Sequence, residues 1–333
     1  MGNAYLGKLD HKDPLYETLF SKVCPAVNDP VFHVNMMSHS MVYKYTEEKS
    51  GTAIVGKFFK LDDEKEDRVS RIKGEFDNLH LIRKYGFDTY PHYVVRPFAR
   101  DERIGLALLE EFIYGKDLDH YLRKSIYRGD MDSLKEKLSK LASFLHVLHT
   151  RTRSQKIVGL DSVCLYFQKI INKLVRQGAI SEADKKSFLR LMDRWFNMES
   201  FQNAQGVIVH GDATSTNFIF TGTGDVVAID LERMKNADPV FDVGMICGEI
   251  KHAFLWRTGN TYEPEPLIKH FLGSYALHSN DPQRAFKEMT LRNPFYMAMT
   301  ELRIARNNYL DWNYRKRLVY EASECLKWGL ELK

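Results

Sequence analysis

The segment VIVHGDATSTNFIFTGTGDVVAIDLE, residues 207–232, gathers the side chains best suited to chemistry. A short apolar run ends at His210-Gly211-Asp212. Two further strand-like runs, NFIF and VVAID, flank a five-residue turn from Thr221 to Asp225. Folded as a hairpin, Phe220 faces Val226, Ile219 faces Val227, and Asn217 falls opposite Ile229, beside Asp230. Asp212 stands on the loop that enters the same strand. Two carboxylates and a carboxamide therefore meet at one end of a hairpin. Oxygen donors of this kind suit Mg²⁺, which takes a few protein oxygens and keeps other positions for phosphate and water. Asp212 is left to accept a proton from a hydroxyl nucleophile. Any one of these aspartates alone is an ordinary turn former or strand-end cap. The joint arrangement is what points to chemistry.

Such a hairpin needs elements to hold it. Residues 1–30 are mixed in pattern and read as a loosely structured entry. VFHV, MVYKY and TAIVGKFF, between Val31 and Lys60, read as short strands of a small antiparallel sheet. Over 69–84 the pattern turns helical, with Ile72, Phe76 and Leu79 on one stripe. VVRPF and IGLALLEEF read as two more strands, and Gly115 as a break. Beyond it the chain is mostly helical. Leu134, Leu138, Leu141, Leu145 and Leu148 recur at spacings of four and three, the mark of one buried face. Helices are also expected over 161–177 and 182–197, the second opened by a Ser181/Asp184 capping pair.

Composition narrows the class. The chain has 333 residues, 44% hydrophobic and 28% charged, with a formal net charge of +4. That is a globular composition of one large or two smaller domains. So slight a basic excess argues against a nucleic-acid binder. Cys24, Cys164, Cys247 and Cys325 form no CxxC pair, which argues against a disulfide scaffold or zinc knuckle. No apolar run approaches a membrane span, and the N-terminal MGNAYLGKLDHKD has no signal-peptide core. The expectation is a soluble cytoplasmic protein with no membrane or nucleic-acid partner.

His-Gly-Asp-x-x-x-x-Asn, a hairpin, then Ile-Asp-Leu-Glu resembles the aminoglycoside phosphotransferase and choline kinase family of small-molecule kinases. Protein kinases carry His-Arg-Asp and Asp-Phe-Gly in the same places. The resemblance spans roughly residues 31–275. It implies an α+β, bilobal protein-kinase-like fold, with a small antiparallel-sheet N-lobe holding one helix and a larger, mainly helical C-lobe. The implied boundaries are an N-terminal extension over 1–30, a nucleotide-binding lobe over 31–114, and a catalytic and substrate-binding lobe over 115–333 with a helical insert at 161–197. ATP, or GTP, and Mg²⁺ are the implied cofactors, and a small-molecule hydroxyl the acceptor.

The same resemblance assigns roles. Lys57 on the third strand would hold the nucleotide phosphates, and Glu75 on the following helix would orient it. Glu75 lies on that helix's apolar stripe, where an unpaired carboxylate is costly. The stretch Leu109–Gly115, with Glu110 and Phe112, would be the hinge whose backbone meets adenine. Asp212 would be the catalytic carboxylate, and Asn217 and Asp230 the metal ligands. His210 would brace the catalytic loop, and Asp242 would support it or serve as a helix N-cap. The phosphate-covering loop, NMMSHSMVYKY, lacks glycine, so Ser38 and Ser40 would donate hydroxyl bonds instead. Glu232 could reach a second metal or its water.

The acceptor stays open among sugars, aminoglycosides and amino alcohols. From Glu249 onward, 13 basic residues face 10 acidic ones, a weak mark against a polycation. Arg303 and Arg306, one turn apart, could meet an anionic group or form a solvated face. A pseudokinase-type nucleotide-binding module and a protein kinase are the competing readings. The second is opposed by His-Gly-Asp and by the absence of an Ala-Pro-Glu segment. A metallohydrolase built on His210 and Asp212 lacks further histidine ligands nearby.

Overall fold

Short β-branched and aromatic runs build the first part of the chain, and long helical repeats build the second. The computed structural model describes residues 4–37, 41–60 and 66–332. β1 (Ala4–Lys8) and α1 (Pro14–Val23) come first, followed by β2 (Phe32–Met36), β3 (Val42–Glu47) and β4 (Ala53–Phe58). α2 (Glu66–Ile82), β5 (Asp88–Thr89), β6 (His92–Val94), β7 (Pro97–Asp101) and β8 (Leu106–Glu111) lead to β9 (Lys116–Asp117). The helices α3 (Leu118–Arg128), α4 (Met131–Arg151), α5 (Asp161–Arg176), α6 (Glu182–Phe196) and α7 (Glu199–Gln202) follow. Then come β10 (Val207–Val209), β11 (Phe218–Phe220), β12 (Val226–Ala228) and β13 (Lys235–Ala237). α8 (Val240–Thr258), α9 (Glu265–Ala276), α10 (Pro282–Ala305) and α11 (Trp312–Gly329) end the chain. This is the expected α+β kinase-like architecture, an antiparallel sheet followed by helices.

The chain divides into two packed units: residues 1–115 with 221–233, and residues 116–220 with 234–333. In the first, a six-stranded sheet runs in the order β1-β2-β3-β4-β8-β7, antiparallel throughout. β12 pairs parallel with β6, and β5 antiparallel with β6. The expected loose entry is instead ordered structure. Asp13 caps α1 by accepting from the Leu15 N–H, and Pro14 opens the helix, where its missing N–H costs nothing. Leu15 and Leu19 then pack against Phe32, Tyr45, Ile54, Leu106 and Leu109 in the sheet's core. Leu15, Leu19 and Val23 fall four apart, a helical stripe that the sequence reading passed over in this segment.

In the second unit the leucine repeat of α4 is buried as its spacing predicts. Ser181 and Asp184 form a reciprocal capping box on α6. Trp195 of that helix is fully buried and donates its indole N–H to the Leu326 carbonyl of α11. α8 is buried along nearly its whole length, and α10 lies against it. Glycine permits the approach: a Cβ on Gly248 would lie 2.7 Å from the Thr300 Cβ. Gly248→Ala is expected to destabilise the protein by about 1–3 kcal/mol through overpacking. Denaturant unfolding measures this, and an unchanged midpoint would contradict it. Among the described residues no helix is long and apolar enough to cross a membrane.

Candidate active site

In the first unit, the antiparallel register pairs Lys57 with Leu108 and Val55 with Glu110. Residues two apart on a strand share a face, so Lys57 and Glu110 project from the same side of the sheet. The Lys57 Nζ lies 2.7 Å from Glu75 Oε1, 3.3 Å from Glu110 Oε1 and 3.9 Å from Asp230 Oδ1. The lysine–glutamate pair expected from the strand and helix positions is present, and Glu75 is buried to 1% exposure. Burial opposes the ammonium, yet Glu110, Glu75 and Asp230 hold it well above the ordinary lysine range. Burial also pushes both glutamates up, Glu75 to about 8, against the pull of Lys57. One ammonium stands against three carboxyls, so the cluster carries a surplus of acidic groups.

A stability test follows from that surplus. Lys57→Met removes the cation and leaves Glu75 and Glu110 buried without one. Carboxyls with raised native values favour folding while protonated, and that favour is lost as pH climbs above their unfolded value of about 4.3. The variant's stability deficit should therefore be wider at pH 8 than at pH 5. Paired thermal melts read it, and a deficit constant across pH would refute the account.

Asp230 follows β12 with a left-handed φ of 63°, uncommon for any residue but glycine. The carbonyl of the next residue, Leu231, accepts from the Asn78 Nδ2 at 2.9 Å and fixes the segment to α2. The Asp230 side chain is 36% exposed. A half-exposed carboxylate in an acidic cluster is a donor that fits Mg²⁺. In the expected hinge, the Phe112 N–H donates to the Ala53 carbonyl, so it is engaged within the sheet. The Phe112 ring is covered by the Lys44 ammonium, 3.8 Å from its centroid. Glu110 belongs to the interior strand β8, paired on both sides, and what it presents is its side chain. Ser38 and Ser40 lie outside the described residues.

In the second unit, Asp242 organises the loop that carries Asp212. It lies in the first turn of α8, fully buried. Its Oδ2 accepts from the His210 N–H at 2.7 Å and its Oδ1 from the Gly211 N–H at 3.0 Å. His149 Nε2 lies 3.2 Å from Oδ2, and its Nδ1 bonds the Tyr275 hydroxyl at 2.8 Å. Burial alone would raise the Asp242 carboxyl, but these donors hold it below the ordinary range. Gly211 turns the loop with φ of 79°, a conformation that glycine adopts without strain. The Asp212 N–H points to His210 Nδ1 at 3.4 Å, so the buried imidazole braces the loop. Asn217 donates its Nδ2 to the Asp212 carbonyl at 2.9 Å. Its Oδ1 is then the end of the amide left to meet a cation. Back in the first unit, Glu232 forms an ion pair with Arg233 at 3.3 Å.

The sequence reading named Arg303 for an anion or a solvated face and connected neither it nor Glu249 with Asp212. Arg303 Nη1 donates to Asp212 Oδ1 at 2.6 Å, and its Nη2 to Glu249 Oε1 at 3.1 Å. Ser215 Oγ donates to Glu249 Oε2 at 3.2 Å. Arg303 is thus neither a solvated side chain nor free for an anion. Its companion Arg306 donates its Nε to the Arg303 carbonyl instead. The overlooked signal was a glutamate inside the apolar run VFDVGMICGEIKHAFLW, since a charge on a buried helix demands a partner.

A family model described as the phosphotransferase enzyme family matches residues 38–284. No curated protein matches by sequence. Among solved structures, a Plasmodium vivax ethanolamine kinase is similar at 14% identity and a TM-score of 0.63, covering 93% of this chain and 88% of its own. A choline kinase from Streptococcus pneumoniae is similar at 17% identity and a TM-score of 0.56, covering 96% and 99%. An ADP-bound aminoglycoside phosphotransferase aligns at 16% identity and a TM-score of 0.52, covering 96% and 99%. At such identities the likeness shows the fold.

Proposed function

The chain belongs to the phosphotransferase enzyme family, and from that premise we propose that it moves the γ-phosphoryl group of ATP, or GTP, to a hydroxyl of a small molecule. The observation that carries this reading is the Lys57–Glu75 pair at 2.7 Å with the Asp230 carboxylate beside it. Phosphoryl transfer asks a protein for positioning and charge neutralisation. Lys57, held by Glu75, contacts the nucleotide phosphates. Asp230 and Asn217 are the residues that would hold Mg²⁺, which supplies charge neutralisation at the phosphates when bound. The acceptor oxygen bonds to the γ-phosphorus as the bond from that phosphorus to the β–γ bridging oxygen breaks. The hydroxyl proton passes to Asp212. His210 and Asp242 position the loop that carries this carboxylate. A cytoplasmic location, where nucleoside triphosphates are supplied, goes with the reading.

Sugars, aminoglycosides and amino alcohols are the acceptor classes to test. ADP release with Mg²⁺ and ATP or GTP, run against pools of each class plus nucleosides, decides among them. A signal confined to one pool and absent from an Asp212→Asn blank supports the proposal and names the class. ATP consumption that ignores every acceptor and persists in the blank overturns it. One observation favours a second reading, a nucleotide-binding module without turnover: the Asp212 carboxylate is already engaged by Arg303. Nucleotide binding with no release in any pool would select that reading.

A further inference from the structure

The second unit contains a cavity of 760 Å³ among α8, α9, α10 and α11, a volume ordinary for a small-molecule site. It is not the site of Asp212. Lys251 and Met297 line it, whereas Glu249 and Arg303 do not. Residues two apart on a helix point in nearly opposite directions. Lys251 is two residues from Glu249 on α8, and its ion-pair partner Glu301, at 3.5 Å, is two residues from Arg303 on α10. The cavity therefore opens on the reverse face of the helix pair that holds Asp212.

Its unmet buried side-chain atom is an acceptor. Asn293, 5% exposed, lines the cavity, and its Oδ1 has no hydrogen-bond partner among the described residues. Fully buried Glu301 lies behind the lining and is ion-paired with Lys251. Pro294 stands inside α10, so it has no N–H to give the carbonyl of Thr290, another lining residue. Both the Asn293 oxygen and this carbonyl are acceptors, and a buried acceptor without a donor is costly. Charge agrees: Glu265, Glu321 and Glu324 line the cavity against Lys251 and Lys269. The Lys251 charge is spent on Glu301 and on Glu321 at 3.7 Å. Ile268, Leu272, Phe286, Met297 and Trp328 supply an apolar wall. Among the described residues no group of three or more His, Cys, Asp or Glu is arranged to hold a metal ion.

We propose that this cavity binds a small organic amine, its ammonium N–H groups directed at the Asn293 oxygen and the glutamates and its apolar body against Phe286 and Trp328. The site is separate from phosphoryl transfer and does not depend on it.

Phenethylamine is a suitable probe, since it has the ammonium and an apolar body but no hydroxyl to phosphorylate. Calorimetric titration of the full chain should show one saturable site with Kd below about 1 mM. Uncharged 2-phenylethanol and anionic 3-phenylpropionate should bind at least about tenfold more weakly. Asn293→Leu and the conservative Glu321→Gln should each weaken the amine by about tenfold or more in protein that melts cooperatively, while Asp212→Asn leaves it unchanged. No saturable heat with phenethylamine, equal or tighter binding of 3-phenylpropionate, or loss of binding in Asp212→Asn would each overturn the proposal.

Discussion

Asp212→Asn should lower phosphoryl transfer by about a thousandfold, within the range that a positioned general base contributes. The replacement keeps an oxygen for the Arg303 donor, which now bonds Asp212 Oδ1 at 2.6 Å. It also leaves the backbone bonds of the loop in place, because Thr214 N and Asn217 Nδ2 both donate to the main-chain carbonyl of residue 212. Melting temperature and nucleotide affinity should therefore stay near those of the wild type while kcat falls. Turnover within about tenfold of wild type would remove Asp212 from the reaction. A fall in kcat accompanied by a collapse in stability would show instead that its role is to balance the charge of Arg303.

The largest effect on stability is expected at Asp242. Asp242→Ala deprives the buried His210 N–H and Gly211 N–H of their acceptor and His149 of its carboxylate. Breaking a buried charged network in this way costs about 3–5 kcal/mol. Turnover should fall with it, since the same two N–H groups set the backbone that leads into Asp212. The pH dependence has a definite sign. The native Asp242 carboxyl is held below its ordinary value, so it contributes stability in full above the unfolded value of about 3.9. That contribution is lost as pH falls through the lowered native value. Urea unfolding of wild type and variant should differ most near neutrality and converge in acid. A difference that stays constant from pH 7 down to pH 3 would mean that the carboxylate's charge is not what holds the loop.

How much of this could be read beforehand depended on how local each signal was. The loop from His210 to Asn217 was legible as a candidate site because His210, Asp212 and Asn217 fall within eight residues. Lys57 and Glu75 were legible only through the family resemblance, which says which strand and which helix to search. Arg303 was named for another partner and Glu249 not at all, since Arg303 reaches Asp212 from a helix 91 residues farther along the chain and local spacing does not announce that pairing. α1 was hidden for a different reason. Its packing face, Leu15 and Leu19 flanked by Tyr16 and Val23, is short, and it takes the sheet opposite to make it a core. Glu110 was placed in the right segment for the wrong atoms: the sheet register turns its carboxylate toward Lys57 and uses its main chain in pairing.

The first unit is assembled from two stretches of chain, with residues 116–220 lying between them. Strand β12, from the later stretch, pairs in parallel with β6, from the earlier one. During synthesis the amino-terminal residues emerge first, yet they cannot finish their own unit. One side of β6 stays an unpaired edge until all of the intervening helical segment has been made, and such an edge invites pairing with other chains. A nascent chain stalled near residue 115 would therefore need a chaperone's protection. The two units are not separable gene fragments either: a cut at the boundary after residue 115 takes from the first a strand that only the second half of the message encodes.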